Sequence, residues 1–355
     1  MPNPPAKPSP TLVCPVPLPA GAAVQLGHGS GGRLSQQLLG DVFLSTFDDP
    51  ELATLKDGAV LPIGSSRLAL STDSFVVHPL FFPGGDIGSL AVHGTVNDLC
   101  MCGARPIALS AGFILEEGLP LHTLKQVVAS MQRAAVEAGV RVVTGDTKVV
   151  EHGKGDGLYI NTAGVGVIPE EVQVAPNRAR PGDRVLINGP IGEHGIAVLS
   201  VREGLAFESP IVSDCASLVD LVARMLAAGG EGVHVLRDPT RGGVATAVYE
   251  LAASARVGVT LNERAIPVAD AVHGACELLG LDPLYVANEG KVVAWVDPSR
   301  AEAVLEAMRA HPLGAQAAII GEVTAGPPGE VYLRSSIGSL RVLDLLSGEQ
   351  LPRIC

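Results

Sequence analysis

The chain lacks the features that mark several large classes of protein. No stretch reaches the ~18 consecutive apolar residues of a membrane span, so no membrane partner is expected. Basic residues are in deficit: 25 Lys and Arg stand against 37 Asp and Glu, a formal net charge of −12. Nucleic-acid binding rests on clustered Lys and Arg, so no nucleic-acid partner is expected either. An anionic small ligand would need a metal, a local cation or a helix N-terminus. The six cysteines are Cys14, Cys100, Cys102, Cys215, Cys276 and Cys355; none forms a C-x-x-C, and no His/Cys spacing resembles a zinc site. A reduced, cytoplasmic setting is the expectation. Cys100 and Cys102 lie in an apolar run, Leu99 to Ala104, without a second ligand pair, which fits core packing better than metal. The nine histidines give no triad spacing. There is no Walker A, since no Gly-Lys-Ser/Thr follows the Gly-rich loop. The opening "MPNPPAKPSPTLVCPVPLP" has no continuous apolar core and reads as a disordered Pro-rich extension over 1–23, not a secretory signal.

What is present is a globular composition. The 355 residues are 47% apolar and 17% charged, enough for two domains with separate cores. "HTLKQVVASMQRAAVEAG" carries an amphipathic stripe of Leu124, Val127, Val128, Met131, Ala135 and Ala138, and Gly139 stops it. A helix is expected in "DIGSLAVHGTVNDLCMCGA". Strands are expected in "SRLALSTDSFVV", "RPIALSAGFIL", "VRVVTGDTKVV" and "LYINTAGVGVI". A turn-rich break at Pro176, Pro181, Gly182 and Asp183 separates a first domain (24–172) from a second (173–326), followed by a tail (327–355). In the second half, helices are expected at 214–228, 243–256, 269–280 and 300–310. Strands are expected at 184–188, 232–237, 290–296 and 317–323. Helices and strands alternate without a strict βαβ rhythm, so the fold class is α+β.

Several constellations carry chemistry. Gly27-His28-Gly29-Ser30-Gly31-Gly32-Arg33 places four glycines in six positions, where backbone N–H groups can converge on an anion; a flexible hinge is the other reading. Asp73, Asp98 and Asp146 end apolar segments. Singly each reads as a cap or turn residue, but three beside a Gly-rich loop suggest Mg²⁺ for a nucleotide. Lys148 could balance phosphate charge. Asp238-Pro239-Thr240-Arg241-Gly242-Gly243 opens a helix whose N-terminus could hold an anion, or is an ordinary cap. In "NEGK", Glu289 is a general base, a metal ligand or part of a turn. His28 and His93 are supporting groups or packed histidines. The chain ends in "LPRIC". Its last thiol, Cys355, shares its residue with a carboxylate, which raises the thiol pKa. It is either an accidental exposed thiol or a sulfur on a mobile arm.

Together, "GHGSGGR", "STDSFVV", "HGTVNDLCMCGARP", "VTGDTK", "DPTRGG", "NEGK" and terminal "PRIC" resemble the HypE family of hydrogenase-maturation proteins from about residue 24 to 355. The ATP-site motifs also resemble the wider family of aminoimidazole ribonucleotide synthetase and selenophosphate synthetase; the PRIC ending singles out HypE. The resemblance implies a two-domain α+β fold of that synthetase type. N-terminal domains of two subunits would pair into a β-barrel, giving a homodimer, and the C-terminal tail would be flexible. ATP would lie under Gly29, Ser30, Gly31 and Gly32, near Thr95 and Asn97. Mg²⁺ would sit on Asp73, Asp98 and Asp146, with Lys148 beside the phosphates.

The implied reaction begins when a partner carbamoyltransferase, HypF, loads a carbamoyl group on the Cys355 sulfur. ATP then phosphorylates the amide oxygen, Glu289 removes amide protons with Lys148 assisting, and loss of phosphate leaves a thiocyanate. The cyano group passes to iron on the HypC–HypD complex, toward the [NiFe]-hydrogenase site. A selenophosphate synthetase would want a reactive Cys near the Gly-rich loop, and Cys14 in a Pro-rich arm gives that poor support. A purely scaffolding protein has no need of the acids and the Gly loop. The Pro-rich start, His93, Cys100 and Cys102 depart from the family pattern.

Overall fold

A computed structural model of the chain describes residues 23–205, 211–346, 351 and 353–355. The expected Pro-rich extension, apart from its last residue, lies outside the described residues. The Gly-rich loop leads into α1 (Arg33–Leu38), a π-helical stretch (Leu39–Leu44) and a last turn, α2 (Ser45–Phe47). The N-terminal domain then runs through β1 (Ala59–Ile63), β2 (Ser66–Phe75), the short β3 (Phe81–Phe82) and β4 (Gly85–Asp86), and α3 (Ile87–Met101). It continues with β5 (Arg105–Glu116), α4 (Leu121–Glu137), β6 (Arg141–Val150) and β7 (Leu158–Ile168). Its five-stranded sheet has the order β1-β2-β7-β5-β6. All neighbours are antiparallel except β5 and β6, which α4 joins as a parallel crossover.

Local chemistry sets these elements. Asp86 caps α3: its carboxylate accepts the N–H groups of Gly88 and Ser89, and the Ser89 hydroxyl accepts the N–H of Asp86. The helix is buried on nearly every side, its apolar residues interspersed with the buried polar groups His93, Thr95 and Asn97. Helix α4 buries Val127, Met131, Ala134 and Ala135, while Val128 of the expected stripe is exposed. Gly139, at φ +68°, ends it as expected.

The C-terminal domain contains β8 (Arg184–Ile187), α5 (Glu193–Arg202), α6 (Val219–Gly229), β9 (Val233–Arg237), α7 (Gly243–Ala255), β10 (Gly258–Asn262), α8 (Asp270–Leu279), β11 (Val293–Val296), α9 (Pro298–Arg309) and β12 (Ala318–Thr324). Two more strands follow, β13 (Val331–Arg334) and β14 (Leu340–Leu343). The seven-stranded sheet has the order β14-β13-β10-β12-β8-β11-β9, antiparallel except between β10 and β13. The tail expected from 327 therefore does not begin there. Val331 and Leu333 are buried against Val259 and Leu261 of β10, so this stretch belongs to the domain core.

Helix α5 escapes the sequence reading because His194 to Ser200 are all buried, leaving no polar face to give a period. Helix α6, expected from 214, starts at Val219, because 213–218 form a strap between the domains. The Asp214 carboxylate accepts the N–H groups of Glu289 and Gly290, each at 3.1 Å. Asn97 of α3 accepts the N–H of Leu218 at 2.9 Å and donates to Ala216 O at 3.0 Å. Only glycine fits at 290, since a Cβ would lie 1.9 Å from the Asp214 carbonyl oxygen. One apolar core continues across the strap, joining α3 and the first sheet to α6, α9 and a face of the second sheet.

A candidate active site between the domains

Three carboxylates from separate elements converge where the domains meet. Asp57 precedes β1, Asp98 sits on α3, and Asp238 follows β9; their oxygens lie within 4.8 Å of one another. Ser71 donates to Asp98 at 2.6 Å, and Arg237 binds Asp57 at 2.9 Å and Glu250 at 2.8 Å. One guanidinium does not balance this charge. Burial, with repulsion among the acids, holds Asp98 well above the ordinary carboxylate range. Burial likewise raises Asp57, and brings Asp238 to about 6. Carboxylates that retain protons because they are buried and crowd each other suit a divalent cation, which replaces those protons with charge.

The last residues of the chain reach this place. Val76 N–H donates to Cys355 O at 3.0 Å and His78 N–H to Arg353 O at 3.4 Å, so the terminus pairs antiparallel to the segment after β2. Arg353 pairs with Asp156, and Ile354 is buried. The thiol of Cys355 is held above its usual pKa by burial; Arg241 opposes this, while Glu289, Asp73 and Asp238 reinforce it. In turn, Cys355 is the largest influence raising the Arg241 guanidinium. The docked sulfur is thus a protonated thiol facing a cation.

Glu289 is buried, its Oε1 lacks a partner among the described residues, and burial followed by Asp238, Asp73 and Asp214 holds its pKa well above normal. Nearby on α3, His93 is also buried. Its Nδ1 lies 3.6 Å from Cys215 Sγ and its Nε2 has no partner among the described residues. Burial lowers His93 to about 4. The unfolded chain therefore binds a proton there that the folded chain refuses, so stability is full above about 6.5 and falls as pH drops toward 4. Between pH 7 and 4.5, wild type should lose about 2–3 kcal/mol more than His93→Leu. Urea denaturation of both proteins at the two pH values checks this, and equal losses would exclude a neutral His93.

A cavity of about 450 Å³ adjoins the acids, walled by Leu39, Phe43, Lys56 and Arg241 among others. The buried atoms His28 Nε2 and Thr246 Oγ1, of residues lining it, have no hydrogen-bond partner among the described residues. The Gly-rich loop borders it. Arg241 donates to Gly29 O at 2.9 Å, Ser30 Oγ to Gly27 O at 2.8 Å and Gly31 N–H to Ser35 Oγ at 2.8 Å. Gly31 has φ +79°, and a Cβ there would lie 3.2 Å from that of Arg241; at Gly32 a Cβ would lie 2.6 Å from Leu346 O. An apolar wall, unpaired polar atoms and adjacent cations suit a nucleotide.

Not every expected residue joins. Asp73 lies outside the three-oxygen cluster and acts on Arg241 and Glu289 through charge. Thr95 is fully buried and bonded to Thr162 at 2.6 Å, and Asn97 is committed to the strap, so both shape the site from behind. Asp146 and Lys148 are exposed and pair with each other at 2.6 Å. The row of Asp73 crosses the sheet through Thr162 and Ala111 to Gly145, so Asp146, one residue on, points to the opposite face. Three strand spacings also separate them, roughly 14 Å. Asp146 therefore cannot share a cation with Asp73 or Asp98 of its own chain. Sequence reasoning missed Asp57, signalled only by "KDG" before a short strand, and took Asp238 as part of an anion-binding turn.

Residues 55–168 match the AIR synthase related protein N-terminal domain, and residues 180–334 its C-terminal domain. A carbamoyl dehydratase HypE of Bradyrhizobium diazoefficiens is 57% identical over 332 residues, 94% of this chain and 96% of its own length. Among solved structures, a HypE–HypF complex superposes with a TM-score of 0.83 at 48% identity, covering 87% of this chain and 99% of that one. A hydrogenase maturation protein HypE in complex with ATP gives a TM-score of 0.79 at 51% identity, covering 92% and 98%. With both domains matched and more than half of the residues shared with a relative over nearly the full length, the chain belongs to the HypE family of carbamoyl dehydratases.

Proposed function

We infer that this chain uses ATP to dehydrate a carbamoyl group carried on the Cys355 sulfur, yielding a thiocyanate that supplies the cyanide ligand of [NiFe]-hydrogenase. The observation that carries this reading is the terminal thiol docked beside Arg241 and Glu289, next to the three acids. The reaction forms an O–P bond at the amide oxygen, removes two N–H protons, and breaks C–O as C≡N forms and phosphate leaves. Mg²⁺ held by Asp57, Asp98 and Asp238 would supply charge neutralisation at the phosphates. The adjoining cavity takes the nucleoside, with His28 and Thr246 as hydrogen-bonding partners. Arg241 faces the sulfur and stabilises negative charge there. Glu289 receives an amide proton once it is ionised, which neutralisation of the neighbouring acids favours.

The docked thiol is protonated and therefore a poor nucleophile. Loading belongs to an undocked position of a flexible tail, on a HypF-type carbamoyltransferase, and delivery to a HypC–HypD iron complex. In the first sheet, Leu70, Ile114 and Val143 are exposed large apolar residues. Homodimer formation through a sheet-to-sheet barrel would cover such residues and bring Asp146 and Lys148 to the interface. Unpaired cysteines suit a cytoplasmic setting.

The test is intact mass after incubation with HypF, carbamoyl phosphate and MgATP. A gain of about 43 Da followed by a loss of about 18 Da is expected on wild type and not on Cys355→Ala, since the acceptor is a reactive thiol. A folded protein that never gains the first mass would overturn the reading.

A further inference from the structure

We propose that His194 and Ser213 form a latch that seats the C-terminal dipeptide and thereby positions the Cys355 sulfur. The proposal rests on the reading of Cys355 as the carrier, and extends it to residues that touch neither nucleotide nor sulfur. His194, in the first turn of α5, is completely buried. Its Nε2 lies 2.8 Å from the carbonyl oxygen of Ile354, and its Nδ1 lies 2.8 Å from Ser213 Oγ. A carbonyl can only accept, so Nε2 carries the proton and the ring is the Nε2–H tautomer. Nδ1 then accepts from the Ser213 hydroxyl, whose oxygen accepts the N–H of Cys215 at 3.1 Å. Phe82 meets the imidazole edge-on at 5.3 Å, and the N–H of Ser213 donates to Pro83 O at 2.8 Å, which fixes the strap against the first domain. Every polar atom of the ring is therefore satisfied, but only while the tail is in place. When the tail leaves, the buried Nε2–H loses its acceptor.

The bond is made to backbone, one residue before the cysteine. It is therefore indifferent to whether the sulfur carries hydrogen, a carbamoyl group or a cyano group. Together with the pairing of Val76 with Cys355 and of Arg353 with Asp156, it defines where the sulfur rests. The latch also ties the tail to the strap that holds Glu289 through Asp214, so tail seating and the base share one support. His194 is a positioning residue in this scheme.

The experiment is alkylation of full-length protein by iodoacetamide, followed by mass spectrometry of the C-terminal peptide, with Cys276 as an internal reference. His194→Phe, which fills the space without a donor, should raise the rate at Cys355 about tenfold, the loss of one buried hydrogen bond. His194→Gln, which keeps a donor near Nε2, should stay within about threefold of wild type. Ser213→Ala, which releases the ring but leaves the donor, should fall between them. ATP-dependent dehydration of the loaded protein should slow in the same order, while carbamoyl loading by HypF, which uses the undocked tail, is not slowed. A purely structural role would raise Cys276 alkylation in parallel and gain nothing from glutamine. If His194→Phe folds and its Cys355 reacts at the wild-type rate, the latch is wrong. If it does not fold, Ser213→Ala reacting at the wild-type rate refutes the latch equally. A wild type that is never carbamoylated would refute the carrier reading while leaving the alkylation comparison intact.

Discussion

Asp98→Asn should reduce ATP-dependent dehydration by about a thousandfold or more, because it removes one of the charges that organises phosphoryl transfer. It should do so while making the resting protein more stable. Asp98 is the acid on which the others converge. Its carboxyl is held up first by burial, then by Asp238, Asp57 and Asp73, with only Ser71 acting in the opposite sense. A group whose folded pKa is raised contributes stability below its unfolded pKa, and that stability is lost as pH rises through the folded value. At neutral pH the cluster is thus a source of strain that asparagine relieves, while its oxygen can still accept from Ser71. The expected gain is about 1–2 kcal/mol, in line with the trade between stability and activity at charged sites. Thermal denaturation without nucleotide measures the gain, and single-turnover conversion of carbamoylated protein measures the loss. The difference in stability between variant and wild type should shrink as pH falls toward 3, below the unfolded carboxyl pKa of about 3.9, where the acids are neutral in both states. Turnover within tenfold of wild type would place the phosphates elsewhere.

The parts of this molecule that could be read from its sequence are those with a local cause. Helix α4 announces itself by its stripe and by Gly139, and α3 by an apolar run behind Asp86. The buried α5 has no such period, and the β13–β14 pair lay in what reads as a tail because short strands near a chain end carry little pattern. Motif reading singled out Asp98 as a metal ligand and Glu289 as a base, and both lie where the domains meet. It could not show that Asp146 and Lys148 stand apart from Asp73 and Asp98 within one chain, because face and strand order depend on a register that spans the whole first sheet. Asp57 was invisible as a single acid before a short strand. The contact between His194 and Ile354 joins residues 160 positions apart, and no spacing rule reports it.

Glu289→Gln should lower dehydration by about 10²–10⁴-fold, the range for loss of a general base, while leaving HypF-dependent loading intact. The geometry makes this variant unusually informative. Glu289 is buried with an unpartnered Oε1, and its proton is held by burial and by Asp238, Asp73 and Asp214 against the pull of Arg241. In the resting site it is a carboxylic acid, so glutamine reproduces its shape and neutrality. The backbone N–H of residue 289 still donates to Asp214 and its carbonyl oxygen still accepts from Asn97. The fold should therefore be kept, and at pH 7 the variant should be the more stable of the two, as at Asp98. At higher pH the wild type loses stability as the carboxyl is forced to ionise, and the variant does not, so the two denaturation curves should separate as pH rises. Loaded protein carrying glutamine should accumulate as the carbamoyl form in the presence of MgATP, visible by intact mass as the first adduct without the later loss. Turnover of that variant within about threefold of wild type would assign proton removal to another group, and His93, buried, neutral and unpartnered at Nε2, would be the next residue to replace.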